Sequence, residues 1–181
     1  MNKEYWANFY KSKHLLEPSS FAKLCRKYIP KGSLVLDLGC GNGRDSYYLS
    51  EKGSVVGIDY ACEPECTDGA IFLKADINKI PFSRISYDIV YSRFFFHSVP
   101  SKIVDKILEV STGVLMAEFR AKGDIPTYLP DHERNFIDGD SFLSKVLKKN
   151  FEIIYYEKAK GLSPFKNVDP LLIRIICRRK H

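Results

Sequence analysis

The chain has 181 residues, 45% of them hydrophobic and 28% charged, with a formal net charge of +6. That size and balance suit one globular unit with a core of its own, and no apolar run reaches the ~18 residues of a membrane span. The opening Met1-Asn2-Lys3-Glu4-Tyr5-Trp6 lacks the apolar centre of a secretory signal, so a cytoplasmic protein without membrane association is expected.

In chain order, residues 3–11 and 18–28 read as helices, the second opened by Pro18-Ser19-Ser20 and stopped by Pro30-Lys31-Gly32. Ser33–Leu38 is a short apolar strand running into glycines. Arg44–Lys52 is a helix that Gly53 closes, and Ser54–Asp59 is the next strand. Strands follow at Ala70–Lys74 and Tyr87–Tyr91. Lys102–Val110 is a helix with Ile103, Ile107 and Val110 on one face. Gly113–Arg120 is a fifth strand and Asp140–Lys149 a helix. Phe151–Glu157 and Leu171–Arg178 are two further strands, an antiparallel hairpin in expectation. Strands alternating with helices imply an α/β fold.

The five cysteines form no metal-binding set. Cys25, Cys40 and Cys177 are far apart, and the Cys62/Cys66 pair has no second pair to complete a zinc site. Free thiols and no metal are expected. The positive charge gathers partly at Arg178-Arg179-Lys180-His181, without the basic stripe and interleaved aromatics of a nucleic-acid surface.

The chemistry concentrates in Val35-Leu36-Asp37-Leu38-Gly39-Cys40-Gly41-Asn42-Gly43-Arg44-Asp45. Glycines between a strand and a helix let the chain turn sharply and let a ligand approach the backbone. A dinucleotide site needs a third small residue where the helix meets the strand; here that position is Arg44 or Ser46. Asp37 would also repel a pyrophosphate, which such a helix start otherwise attracts. A ligand with an ammonium group and no phosphate fits better. Asp59, ending the second strand, suits a bond to two ribose hydroxyls, and Asp76 follows the third strand within reach of an adenine amino group.

With Asp-x-Gly-x-Gly-x-Gly at Asp37–Gly43, acids at Asp59 and Asp76, and Tyr87-Asp88-Ile89-Val90-Tyr91-Ser92 as a fourth strand, the sequence resembles the class I S-adenosylmethionine-dependent methyltransferase family over residues 33 to about 120. The resemblance implies a Rossmann-like, seven-stranded, mostly parallel sheet with helices on both faces and an antiparallel edge hairpin. The whole chain is then one domain: a helical lid over 1–30, a cofactor core over 33–120, and an acceptor-side insertion with the hairpin over 121–181. The cofactor is S-adenosylmethionine and the product S-adenosylhomocysteine. Gly39, Gly41 and Gly43 would line the methionine moiety, with Cys40 between them, and Asp37 would face its amino group. Asp59 would hold the ribose. Asp76 and the Ile77 amide would meet adenine, with Tyr60 against the ring. Arg44 and Asp45 either contact the cofactor or cap the helix, and Ser92 closes the set at the end of the fourth strand. Tyr5 and Trp6, in an aromatic helix, would cover the cofactor, since aromatic faces attract a sulfonium cation.

On the acceptor side, Ser92-Arg93-Phe94-Phe95-Phe96-His97 lacks the Asn/Asp-Pro-Pro-aromatic motif of relatives that methylate planar nitrogens. Arg93 and His97 stand there instead. His97 is either a base or donor for the acceptor, or a histidine satisfied by backbone carbonyls. His132-Glu133-Arg134-Asn135-Phe136 is similar to a segment of a small-molecule subgroup. Arg93, Arg120, Arg134, His97 and His132 are thus expected to converge on a small anionic acceptor, a phosphorylated or nucleotide-linked sugar or surface-glycan precursor, methylated on oxygen. Some of these arginines would otherwise pair with neighbouring carboxylates. An RNA methyltransferase and a non-catalytic cofactor-binding partner subunit are the alternatives.

Overall fold

The computed structural model describes residues 3–11, 17–80, 87–124, 136–164 and 167–180. Among the described residues, five α-helices, α1 (Lys3–Lys11), α2 (Ser20–Cys25), α3 (Arg44–Leu49), α4 (Ser101–Val110) and α5 (Gly139–Lys148), accompany seven strands. The strands are β1 (Ser33–Leu38), β2 (Gly53–Asp59), β3 (Ala70–Lys74), β4 (Ile89–Arg93), β5 (Val114–Arg120), β6 (Phe151–Ala159) and β7 (Leu172–Arg179). They form one sheet in the order β3-β2-β1-β4-β5-β7-β6. The first five run parallel; β7 is antiparallel to both β5 and β6. No helix among the described residues is long and apolar enough to cross a membrane.

Alternation along each strand divides the core in two. Leu36, Leu38, Val90, Leu115, Ala117 and Phe119 face one side, where α4 brings Ile103, Val104, Ile107 and Leu108 and α5 brings Phe142 and Val146. Val35, Val55, Ile89, Tyr91 and Met116 face the other, under Phe21, Ala22 and Cys25 of α2 and Leu49 of α3. With both faces covered, β1, β4 and β5 read as near-continuous apolar runs. The helices start on side-chain caps: Ser19 Oγ accepts from the Ala22 amide at α2, and Asp138 accepts from the Ser141 amide at α5. At the far end of the α4/α5 layer, Arg179 of β7 donates to the Leu108 and Glu109 carbonyls at the end of α4, to Ser111 O, and to Lys149 O at the end of α5.

Several boundaries depart from expectation, three of them with a plain cause in the hydrogen bonding or the turn that follows. The helix from Arg44 ends at Leu49, because Lys52 N turns back to Leu49 O. The second helix ends at Cys25, and Arg26–Tyr28 tighten into a 3-10 turn. The fourth strand begins at Ile89 and continues to Arg93, because Asp88 is occupied at the strand entrance, its Oδ2 accepting the Leu34 amide. This last shift places Ser92 and Arg93 inside the sheet, in register with Ala117 and Glu118.

Candidate functional site

The strand order turns back between β1 and β4, and a crevice outside the carboxyl ends of the strands at such a point is where open α/β sheets bind ligands. The glycine loop lies there. Gly39, Gly41 and Gly43 have φ of 76°, 57° and 78°, in the left-handed region. Gly41 is held to glycine twice over, since any Cβ would also stand 2.6 Å from the Tyr10 hydroxyl oxygen.

The loop amides point inward. Gly39 N and Cys40 N both donate to Ile58 O, at 2.8 and 3.3 Å, and Gly43 N donates to Cys40 O. Gly41 N donates to Asp59 Oδ2 at 3.1 Å. A phosphate cradle needs these N–H groups free; here they bond β2 and the loop itself, so the loop offers close approach without anion affinity.

Carboxylates surround it. Asp59 accepts from Gly41 N and, through Oδ1, from Ala61 N at 2.7 Å and Cys62 N at 3.0 Å, which fixes it at the tip of β2. Asp37 is buried on the α3 side of β1 and accepts from Ser46 Oγ at 2.6 Å. Burial pushes its carboxyl up to about 7; the Ser46 bond opposes this, while Asp45 and Asp59 add to it. Asp76 accepts from the Asn78 amide and side chain and caps a 3-10 turn that begins at Ile77. Those bonds hold its carboxyl below the usual range. Cys40 lies against Gly57, and burial raises its thiol well above the ordinary value. Ser92 Oγ, at the end of β4, is buried without a hydrogen-bond partner.

Of the two helix-start residues, Asp45 has a structural task. Its carboxylate accepts from Ser19 N and Ser19 Oγ, both at 2.7 Å, and from Tyr91 Oη at 2.8 Å, tying α2 and β4 to α3. Arg44 Nε lies 3.6 Å from it.

The α1 helix crosses the crevice. Lys3 Nζ is 5.2 Å from the centre of the Tyr60 ring, beside Asp59. Tyr5, Trp6, Phe9 and Tyr10 pack on one another with ring centres 5.1–6.2 Å apart, and Tyr10 reaches Gly41. Tyr10 was not among the expected contacts, although it is four residues from Trp6 and shares its helical face.

On the acceptor side the charged groups turn to one another. Arg93, Glu118 and Arg174 are register partners on β4, β5 and β7. Arg93 Nε donates to Glu118 Oε1 at 2.8 Å and Arg174 Nε to Oε2 at 2.6 Å. The remaining donors tie down neighbours: Arg93 Nη2 reaches Ser163 Oγ, and Arg174 Nη2 reaches Ser20 Oγ and Leu162 O. Arg120 Nη1 donates to Asp124 Oδ2 at 2.9 Å. His97 is buried, and its Nδ1 accepts the Arg120 amide at 3.2 Å, so the neutral ring carries its proton on Nε2. Phe94 adopts φ 55° between β4 and the following 3-10 turn. His132 and Arg134 lie outside the described residues. A cleft of about 480 Å³ opens between α4 and α5, lined by Phe96, Val99, Phe136 and Phe142 with Ser101 and Lys145.

Comparison with known proteins agrees with this geometry. A family model described as a methyltransferase domain matches residues 36–116. Over that span, a little under half of the chain, the sequence is similar to a methyltransferase domain. A protein of Encephalitozoon cuniculi named as a methyltransferase is 32% identical over 79 residues, which make up 41% of this chain and 36% of that relative. Three solved structures share the methyltransferase fold. The 1,6-didemethyltoxoflavin-N1-methyltransferase of Burkholderia thailandensis, with bound 1,6-didemethyltoxoflavin and S-adenosylhomocysteine, has a TM-score of 0.73 at 13% identity, over 99% of this chain and 84% of that one. A Haloferax volcanii protein described as a methyltransferase, in complex with the Trm112 methyltransferase activator, has a TM-score of 0.73 at 16% identity, over 98% and 96% of the two chains. A TehB-like S-adenosylmethionine-dependent methyltransferase of Corynebacterium glutamicum has 0.67 at 19%, over 99% and 100%.

Proposed function

We propose that this chain is an S-adenosylmethionine-dependent methyltransferase that serves a small-molecule acceptor. The observation that carries the proposal is the polarity around the glycine loop: the Gly39, Cys40, Gly41 and Gly43 amides are engaged internally, and the neighbouring side chains at the strand tips are the carboxylates Asp37 and Asp59. Such a crevice disfavours a diphosphate and favours a cationic amino-acid nucleoside. The buried, unpartnered Ser92 Oγ and the raised Asp37 carboxyl fit the same ligand, since an ammonium beside Asp37 would favour its ionised form. S-adenosylmethionine supplies a methyl group already activated on sulfonium, so the chain's work is to bind, orient and exclude water. Asp59 would take the ribose hydroxyls, Asp76 and the Ile77 amide the adenine, and α1 would cover the crevice.

Support for an anionic acceptor is narrower than the sequence implied, because Arg93 and Arg120 each carry a carboxylate partner. The cleft between α4 and α5 has the volume of a small-molecule site and is mostly apolar. It favours a small acceptor with an apolar or ring-shaped body. The Burkholderia enzyme's ring-shaped ligand supports the same class. Calorimetry with S-adenosylhomocysteine, followed by cofactor turnover across small acceptors, tests the proposal. One-to-one binding and turnover on small molecules are expected. Failure to bind S-adenosylhomocysteine refutes the cofactor, and turnover on RNA alone refutes the acceptor class.

A second reading, in which an activator protein joins the chain, is favoured by β3. This edge strand exposes Ile71 and Leu73 on one face, and an apolar edge is a template for an added strand. The Haloferax relative's complex with an activator is consistent with it. Full turnover by the isolated chain would exclude the need for such a partner.

A further inference from the structure

The geometry points to Tyr10 as a tethered occupant of the methyl-donor seat, which the donor must displace to bind. This inference rests on the proposed function, since it takes the glycine loop as the donor site. A donor lying across the loop must approach Gly41 within van der Waals contact; that is what a glycine there permits. The tyrosine already fills this space, with its Cε1 and hydroxyl oxygen 2.7 and 2.6 Å from where a Gly41 Cβ would be.

The surroundings show that the ring is inside the crevice. Burial raises its hydroxyl above the ordinary value, and the titratable groups near it are Asp59 at the end of β2, Cys62 just past it, Arg93 on β4 and Cys40 in the loop. The helix that carries it is anchored at both ends of the site: Lys3 over Tyr60 at one, Tyr10 on Gly41 at the other. About seven residues at 1.5 Å each separate these anchors, so α1 spans roughly 10 Å of the crevice. The closed helix and a bound donor therefore compete for the same floor. Binding then requires a prior opening of α1, which lowers the apparent affinity by the open fraction.

Trp6 is the one tryptophan of the chain and stacks on Tyr10 with ring centres 6.0 Å apart at 27°, so its fluorescence reports the lid directly. Stopped-flow mixing of the full chain with S-adenosylhomocysteine is the test. In the wild type the observed rate should level off at high ligand, because opening becomes limiting. Tyr10→Ala should remove the plateau and raise the association rate by roughly tenfold, as expected if about one lid in ten is open. Tyr10→Phe keeps the ring and should stay near wild type. Thermal melting without ligand checks that each variant is folded, and Tyr10→Leu, a smaller plug, should fall between the two if Tyr10→Ala is not. An unchanged association rate in the small-side-chain variants overturns the inference. So does weaker binding through faster dissociation alone, which would mean that Tyr10 stacks on the donor. If neither wild type nor variants bind S-adenosylhomocysteine by calorimetry, the donor site itself is refuted and the competition with it.

Discussion

Replacing Asp37 by Asn should make the ligand-free protein more stable and the donor site worse. Asp37 is buried under α3 and holds its proton up to about 7, against 3.8 for the free side chain. The folded chain binds this proton more tightly than the unfolded one. The corresponding stability is complete below the unfolded value and is lost as pH rises through the folded one. At 1.36 kcal/mol per pH unit the full loss is roughly 4 kcal/mol, of which about 2.5 kcal/mol falls between pH 5 and pH 8. Asn has nearly the same shape, accepts the Ser46 hydroxyl as Asp37 does, and does not titrate. Urea unfolding of both proteins at pH 5 and pH 8 should show the variant gaining on the wild type by about 2–3 kcal/mol over that range. The same buried charge should serve the ligand's ammonium. S-adenosylhomocysteine binding to the wild type should release a proton near pH 6, seen as a buffer-dependent heat, and the Asn variant should bind roughly 10–100-fold more weakly with no proton release. A wild type whose stability relative to the variant is flat between pH 5 and pH 8 would refute the buried-carboxyl argument. Equal affinity of the two proteins for S-adenosylhomocysteine would refute its role toward the ligand.

Asp59→Ala leaves the Gly41, Ala61 and Cys62 amides without their acceptor; S-adenosylhomocysteine affinity should fall at least tenfold, with a stability loss of about 1–3 kcal/mol in thermal and urea unfolding. Glu118→Gln removes the one counter-charge shared by the buried Arg174 and the partly buried Arg93 and should cost about 3–5 kcal/mol, measured by urea unfolding, with the 161–164 loop losing amide-exchange protection first. Arg179→Ala uncaps the ends of α4 and α5 together and should cost about 2–3 kcal/mol by urea unfolding while leaving S-adenosylhomocysteine affinity within twofold.

Much of the architecture was legible because its signals are local. Apolar runs, the glycine loop and the acids at strand ends placed β1, β2 and β3 within a residue of their observed limits, and the antiparallel pair at the edge followed from the loop between two late apolar strands. What the sequence hid was pairing across the sheet. Arg93 reads as a free loop cation when the fourth strand is ended at Tyr91; two residues of register move it opposite Glu118. Arg174 stands alone in an apolar strand, and Glu118 in another. Each is a sign of a buried counter-charge, but which cation meets which anion depends on β7 entering between β5 and β6, which no local pattern reveals. Asp45 is similar: as the second residue of a helix it looks like a dipole partner, yet its oxygens are taken by Ser19 and Tyr91 from elements distant in sequence.

That insertion of β7 also bears on biosynthesis. β7 follows β5 and β6 in the chain, yet it is not a rim but a spacer between them. Until residues 172–179 emerge from the ribosome, β5 and β6 present open flanks to each other and to other nascent chains, and Glu118 has only one of its two cations. Unpaired flanks of this kind invite misassembly. The interval before β7 emerges is then the one in which β5 and β6 most need protection, and a frameshift ahead of residue 172 would leave an unclosed, aggregation-prone sheet.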